Sequence, residues 1–179
     1  MREPSLQFEK VGTAEFAIVA DLAHRIWPVC FADLISPAQC DYMLRQRYSH
    51  EGLSHAIASG TTYELMRAGA EAVGFGAHGP GETPEEWKLG QVYVLPECQG
   101  RGLGRQYIGH VAQAALEHGC TSLTLTVNKG NGRARTLYER CGFRIRNAAR
   151  FDIGNGFVMD DYVMVLSLDS AELAPKRTV

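Results

Sequence analysis

Val92-Tyr93-Val94-Leu95-Pro96-Glu97-Cys98-Gln99-Gly100-Arg101-Gly102-Leu103-Gly104 is the stretch on which the reading of this chain turns. An apolar run ends at a proline, a glycine-rich turn follows, and a segment with helical periodicity begins. That order puts a row of backbone N–H groups at a helix N-terminus, where aligned peptide dipoles add roughly half a positive charge. Such an end binds phosphates. Gly100, Gly102 and Gly104 lack a Cβ, so a bulky anion can lie against the main chain. Two familiar phosphate loops are excluded by the letters. A Walker loop needs Lys then Ser or Thr after its last glycine, and Arg105-Gln106 stands there. A dinucleotide fingerprint needs G-x-G-x-x-G, and this chain has Gly100-x-Gly102-x-Gly104. An ordinary glycine-rich strand-to-helix turn remains the alternative for the loop alone.

A second segment, residues 121–143, carries its own pattern. Leu123, Leu125 and Val127 alternate with threonines, as a half-buried strand does. Ala134, Leu137, Tyr138 and Cys141 then fall on one face of a helix. Asn131 suits the N-cap, and Gly142 stands where a left-handed glycine would end the helix.

Together the two segments resemble the GNAT superfamily of N-acetyltransferases. Gln99-x-x-Gly102-x-Gly104 is similar to its Q/R-x-x-G-x-G/A loop, which holds the pyrophosphate of acetyl-CoA. Asn131, Ala134, Tyr138, Gly142 and Phe143 match the family's N-x-x-A-x-x-x-Y helix and following G-F. A narrower likeness, to a bacterial branch with polyamine-type and uncharacterised members, rests on Trp27-Pro28, Tyr42-Met43-Leu44 and Gly154-Asn155-Gly156-Phe157. The resemblance implies acetyl-CoA as cosubstrate and no metal. On it, Val92, Val94, Gln99, Gly100, Arg101, Gly102, Leu103, Gly104, Asn131, Arg133 and Tyr138 are the cofactor-binding candidates. Arg101, Arg105 and Arg133 meet phosphates or are simply solvated charge.

The elements read in the family's order. A strand over Leu6–Val11 precedes a helix opened by Thr13-Ala14-Glu15 and ended by Trp27-Pro28. Ser36-Pro37 starts a second helix and a third runs from Glu51 to Ala58. Strands over Thr61–Met66 and Ala72–His78 are joined by Ala68-Gly69-Ala70. Gly79–Glu85 reads as a mobile loop before the central strand Trp87–Leu95. The helix from Gly102 to His118 buries Ile108, Val111, Ala112 and Ala115. Two strands, Phe143–Phe151 and Phe157–Leu168, close the chain. The expected fold is therefore α/β, a mixed twisted sheet of about seven strands with helices on both faces, in the order β-ααα-βββ-α-β-α-ββ. One domain is expected over 1–168, with a flexible tail over 169–179.

Composition agrees with that frame. With 179 residues, 45% of them hydrophobic, there is chain enough for one well-cored domain. A formal charge of −2 argues against bulk nucleic-acid or polybasic membrane binding. No apolar run approaches the ~20 residues of a membrane span, and the start Met1-Arg2-Glu3-Pro4 lacks a signal-peptide core. Five cysteines with no C-x-x-C pair read as reduced thiols of a cytoplasmic protein. A homodimer is left open.

The implied reaction moves an acetyl group from a thioester to a primary amine, by direct attack in a ternary complex. An aliphatic ammonium has a pKa near 10.4, so neutralising it at pH 7 costs about 4–5 kcal/mol. The site must desolvate the ammonium or offer it a base. The departing thiolate, like a thiol of pKa near 8.5, needs a hydrogen bond or a proton, and the tetrahedral oxyanion needs a donor. By family analogy a backbone N–H near Val94 serves the oxyanion, and the pantetheine arm pairs with Val92 and Val94 like an added strand. Tyr138 is the candidate partner of the thiolate, with a core tyrosine as the alternative.

The base is the weak point of the resemblance. Several family members carry a strand glutamate where this chain has Lys88. Glu86 is the catalytic candidate in its place, with Glu85, Glu82 and His78 nearby, and a bound water chain is the competing route. Trp27, Phe31, Tyr42 and Trp87 are offered as an amine pocket by cation–π contact, or else as core. The acceptor is a small-molecule or peptide amine. A protein N-terminus, or an acyl-CoA sensor with no acceptor, are the alternatives.

Overall fold

The computed structural model describes residues 6–168, so the expected tail over 169–179 lies outside the described residues. Its elements are β1 (Leu6–Lys10), α1 (Phe16–Cys30), α2 (Pro37–Tyr48), α3 (His50–Ala58), β2 (Thr62–Ala68), β3 (Glu71–Pro80), β4 (Glu86–Val94), α4 (Leu103–Glu117), β5 (Ser122–Asn128), α5 (Gly132–Arg140), β6 (Arg144–Gly154) and β7 (Phe157–Ser167). The order is the one expected. The strands form one seven-stranded sheet, β1-β2-β3-β4-β5-β7-β6. It is mixed: β4 and β5 run parallel, while β1–β2, β2–β3, β5–β7 and β6–β7 are antiparallel.

The chain divides into two compact units. One comprises the residues up to Gly79 with Gly90–Ile108, the other Pro80–Leu89 with the residues from Gly109 on. In the first, α1 buries Phe16, Val19, Leu22, Ala23, Ile26 and Trp27, the spacing of one helix face. Ser36 caps α2 by accepting the Gln39 N–H at 3.1 Å, with Pro37 in the first turn, as the letters indicated. Phe75 and Leu65 are fully buried, and Tyr107 of α4 lies across Gly76, where a Cβ would come 2.0 Å from its ring. A larger residue has no room there. In the second unit, Leu123, Leu125 and Met164 form the centre, and the ring of Trp87 stacks on His118 at 4.3 Å.

Two expectations are corrected. Pro28 does not end α1, which runs on to Cys30. The proline forgoes one N–H bond, yet Trp27 stays buried and its carbonyl accepts from Phe31 N–H at 2.9 Å, so packing outweighs the break. The loop before β4 is shorter than 79–85, because β3 continues through Pro80. The Gly81 N–H donates to the Glu86 carbonyl at 2.9 Å and the Glu86 N–H to Thr83 at 3.1 Å, closing a tight hairpin. Glu86 thus belongs to the strand. In the first unit the Leu95 N–H donates to the Val73 carbonyl at 2.9 Å. A Cβ on Gly90 would come 3.3 Å from the Ala77 carbonyl oxygen.

Candidate active site

In the first unit β4 ends at Val94, and Pro96–Cys98 form a single tight turn. The Gln99 side-chain amide then donates to the Val94 carbonyl at 2.9 Å, and the Cys30 sulfur lies 3.6 Å from the same nitrogen. Gln99 is thus spent on the strand end. Gly100 and Gly102 have φ of +81° and +77°, left-handed angles that favour glycine, and a Cβ on either would meet nothing within 4 Å. The turn is open where its side chains would be. The Gly102 carbonyl accepts the Gln106 N–H at 3.0 Å, so the N–H groups of Leu103, Gly104 and Arg105 precede the first bond of α4. Leu103 and Gly104 are half-buried, and Arg101 and Arg105 are exposed. Free N–H groups at the start of a helix favour an anion. Val92 is half-buried and Val94 buried on the strand leading into it.

In the second unit β4 pairs with β5 through Glu86↔Ser122, Trp87↔Leu123 and Lys88↔Thr124. Asn131 Oδ1 accepts the Ala134 N–H at 3.1 Å and so caps α5; this bond leaves its NH2 end unspent. Arg133 is exposed. The other end of α5 closes as a Schellman turn: Phe143 N–H to Tyr138 and Gly142 N–H to Glu139, both 3.0 Å, with Gly142 at φ +97°. The accompanying ring contact is Tyr138 edge-on to Phe143, centroids 5.8 Å apart. The motif's tyrosine, glycine and phenylalanine are therefore one local device that fixes the Tyr138 ring.

Tyr138 is half-buried, and its pKa is pushed up to about 12, first by burial and then by the neighbouring Cys141. Its hydroxyl stays protonated at neutral pH. Passing that proton to a thiolate of pKa near 8.5 would run uphill by about 5 kcal/mol, so the phenol suits a hydrogen-bond donor better than a proton donor.

The base candidates are placed as follows. Glu86 contacts the Arg146 guanidinium through Oε1, while Oε2 is buried with no partner among the described residues. It is the first residue of β4. His78 is buried against Glu64 at 3.3 Å. Glu82, Glu85 and Lys88 are exposed.

The acceptor candidates separate. Trp27 and Phe31 are buried in the first unit, rings 4.7 Å apart, with Tyr93 5.7 Å from Trp27. One face of Trp27 already carries the Arg47 guanidinium, 5.8 Å from its centroid. Tyr42 is half-buried on α2, and Trp87 belongs to the second unit's core. Sequence reasoning missed the polar side of the aromatic group. Tyr48 donates to Gln91 Oε1 at 2.9 Å and Gln91 donates to Tyr63 at 3.2 Å. No motif marks these three, since each contact spans distant parts of the chain.

A family model described as Acetyltransferase (GNAT) family matches residues 16–143. Thialysine N-epsilon-acetyltransferase of Bos taurus is 44% identical over 54 residues, covering 30% of this chain and 32% of that one. This chain thus spans about a third of the length of the curated relatives it matches. PaiA N-acetyltransferase of Thermoplasma acidophilum, solved in complex with coenzyme A, superposes with a TM-score of 0.75 at 17% identity, over 91% of this chain and 99% of that one. A GCN5-related N-acetyltransferase from Rhodopseudomonas palustris gives 0.76 at 19% identity, over 93% and 98%. At these identities the structures speak for the fold.

Proposed function

We propose that this chain, which belongs to the acetyltransferase (GNAT) family, transfers an acetyl group from acetyl-CoA to a primary amine of a small molecule or peptide. The observation that carries the reading is the turn from Gln99 to Gly104: left-handed glycines with open space at their Cβ positions, pinned to the end of β4 and opening α4. In this account Gly100–Gly104 cradle the pyrophosphate, with Arg101 at its edge. Val92 and Val94 offer backbone groups to the pantetheine arm and the oxyanion. Asn131 and Arg133 add polar contacts to the cofactor.

Acetyl-CoA supplies the activated acyl group, and the chain supplies alignment and charge stabilisation. Tyr138 donates a hydrogen bond to sulfur as negative charge develops there. Proton removal from the ammonium goes to water, because Glu86 is paired with Arg146. Unpaired Oε2 leaves Glu86 as the longer-range relay to be tested. The five free thiols fit a reducing compartment, which we take to be the cytoplasm. No described helix is long and apolar enough to cross a membrane.

Acetyl-CoA should raise the melting temperature of the wild type, since a ligand that binds only the native state stabilises it. Gly102→Val, which puts a β-branched residue at positive φ in the turn, should abolish most of that rise. A Val variant that binds acetyl-CoA like the wild type removes the loop from the site.

A further inference from the structure

The aromatic group of the first unit is rich in donors. Tyr48 O–H donates to Gln91, and Gln91 N–H donates to Tyr63, so both bonds point the same way along the chain of side chains. It ends at the Tyr63 hydroxyl, which accepts from Gln91 and whose own proton has no acceptor among the described residues. Tyr63 is 3% exposed, so a donor left unmet there is costly. Trp27 faces the Tyr48 hydroxyl and lowers its pKa as a hydrogen-bond partner. Arg47 adds a cation: its guanidinium sits over Trp27, and its charge pulls down the pKa values that burial raises at Tyr48 and Tyr63. Trp27, Arg47, Tyr48, Tyr63, Gln91 and Tyr93 include no carboxylate. Such a group repels a polycation and leaves the Tyr63 donor unspent, a cost in a buried place unless a ligand oxygen meets it.

Gln91 and Tyr93 belong to β4 and alternate with Val92 and Val94, the positions proposed for the cofactor. Both are half-buried, so here the group reaches the surface. Resting on the acetyltransferase reading, we infer that the acceptor is an amine that also carries a carboxylate, held by the Tyr63 hydroxyl and the Arg47 guanidinium. Gln91 is a positioning residue: by donating to the Tyr63 oxygen it leaves the hydroxyl proton for a ligand. A diamine or polyamine lacks the group this arrangement binds and brings a second positive charge toward Arg47.

The test uses matched amines that differ only in the carboxylate: L-lysine against cadaverine, L-ornithine against putrescine, and L-phenylalanine against phenethylamine. Thiol release from acetyl-CoA gives kcat/KM for each. In at least one pair the carboxylate-bearing member should be favoured on the order of tenfold, the size of one charge-assisted hydrogen bond. Tyr63→Phe keeps the ring and should bring that ratio toward one by raising KM for the carboxylate-bearing amine alone. Arg47→Gln, at an exposed position, should act in the same direction. Preference for the decarboxylated member in every pair, or a ratio that both variants leave unchanged, overturns the inference while the acetyltransferase reading stands. Thiol release with none of the six, in a protein that does acetylate other amines, overturns it too. Failure with every amine tried overturns the acetyltransferase reading itself.

Discussion

The side-chain amide of Gln99 donates to the main-chain carbonyl of Val94 at 2.9 Å, tying the first residue of the glycine turn to the last residue of β4. The tie sets where α4 begins relative to the strand end. Gln99→Leu keeps the bulk but leaves the buried Val94 carbonyl without this donor, at a cost of about 1–3 kcal/mol. Acetyl-CoA affinity, read by calorimetry, should fall several-fold, with a small loss in melting temperature. Undiminished affinity would mean the turn holds its shape without the tie.

Tyr138→Phe isolates the hydroxyl, because the ring contact with Phe143 survives the change. The turnover number should drop at least tenfold with acetyl-CoA affinity nearly unchanged, since sulfur becomes charged only on the way to the transition state. Turnover equal to the wild type would return Tyr138 to packing.

The raised pKa of Tyr138 gives that role a pH signature. A phenol held neutral up to about 12 is protonated throughout pH 7–10, so the wild type should lose no activity there through this group. Loss should begin only as pH climbs from the ordinary tyrosine value of about 10 toward 12, and Tyr138→Phe should lack that limb. Activity falling with a Tyr138-dependent pKa below 10 contradicts the assignment.

Proton removal from the ammonium should make kcat/KM rise with pH through an apparent pKa well below the free amine's 10.4. Glu86→Gln should leave that rising limb in place if water carries the proton. A flattened limb, with the loss greatest near neutral pH, would restore Glu86 as the relay through Oε2. Removing the charge also unpairs Arg146, so the melting temperature of the variant must be measured alongside.

How much of this was legible in the letters follows from how local each device is. Ser36-Pro37, Asn131 and the Gly142 stop act within one helical turn, so their residue types announced them. The glycine turn was legible for the same reason. Glu86 fell just outside the expected strand because the hairpin that recruits it depends on Gly81 across the turn. Its pairing with Arg146, sixty positions on, has no local trace. Pro28 was read as a stop, since nothing local shows how deeply Trp27 is buried. The Tyr48–Gln91–Tyr63 chain joins α2, β4 and β2, and only the assembled sheet puts those side chains together.

The central claim is amine-dependent acyl transfer, and the most direct measurement is release of the CoA thiol with acetyl-CoA and a broad panel of primary amines. Thiol should appear in step with acetylated amine, at a rate that depends on amine concentration and falls sharply in Tyr138→Phe. Tight acetyl-CoA binding with no thiol released above buffer hydrolysis, whatever the amine, would contradict the account and make the protein an acyl-CoA sensor.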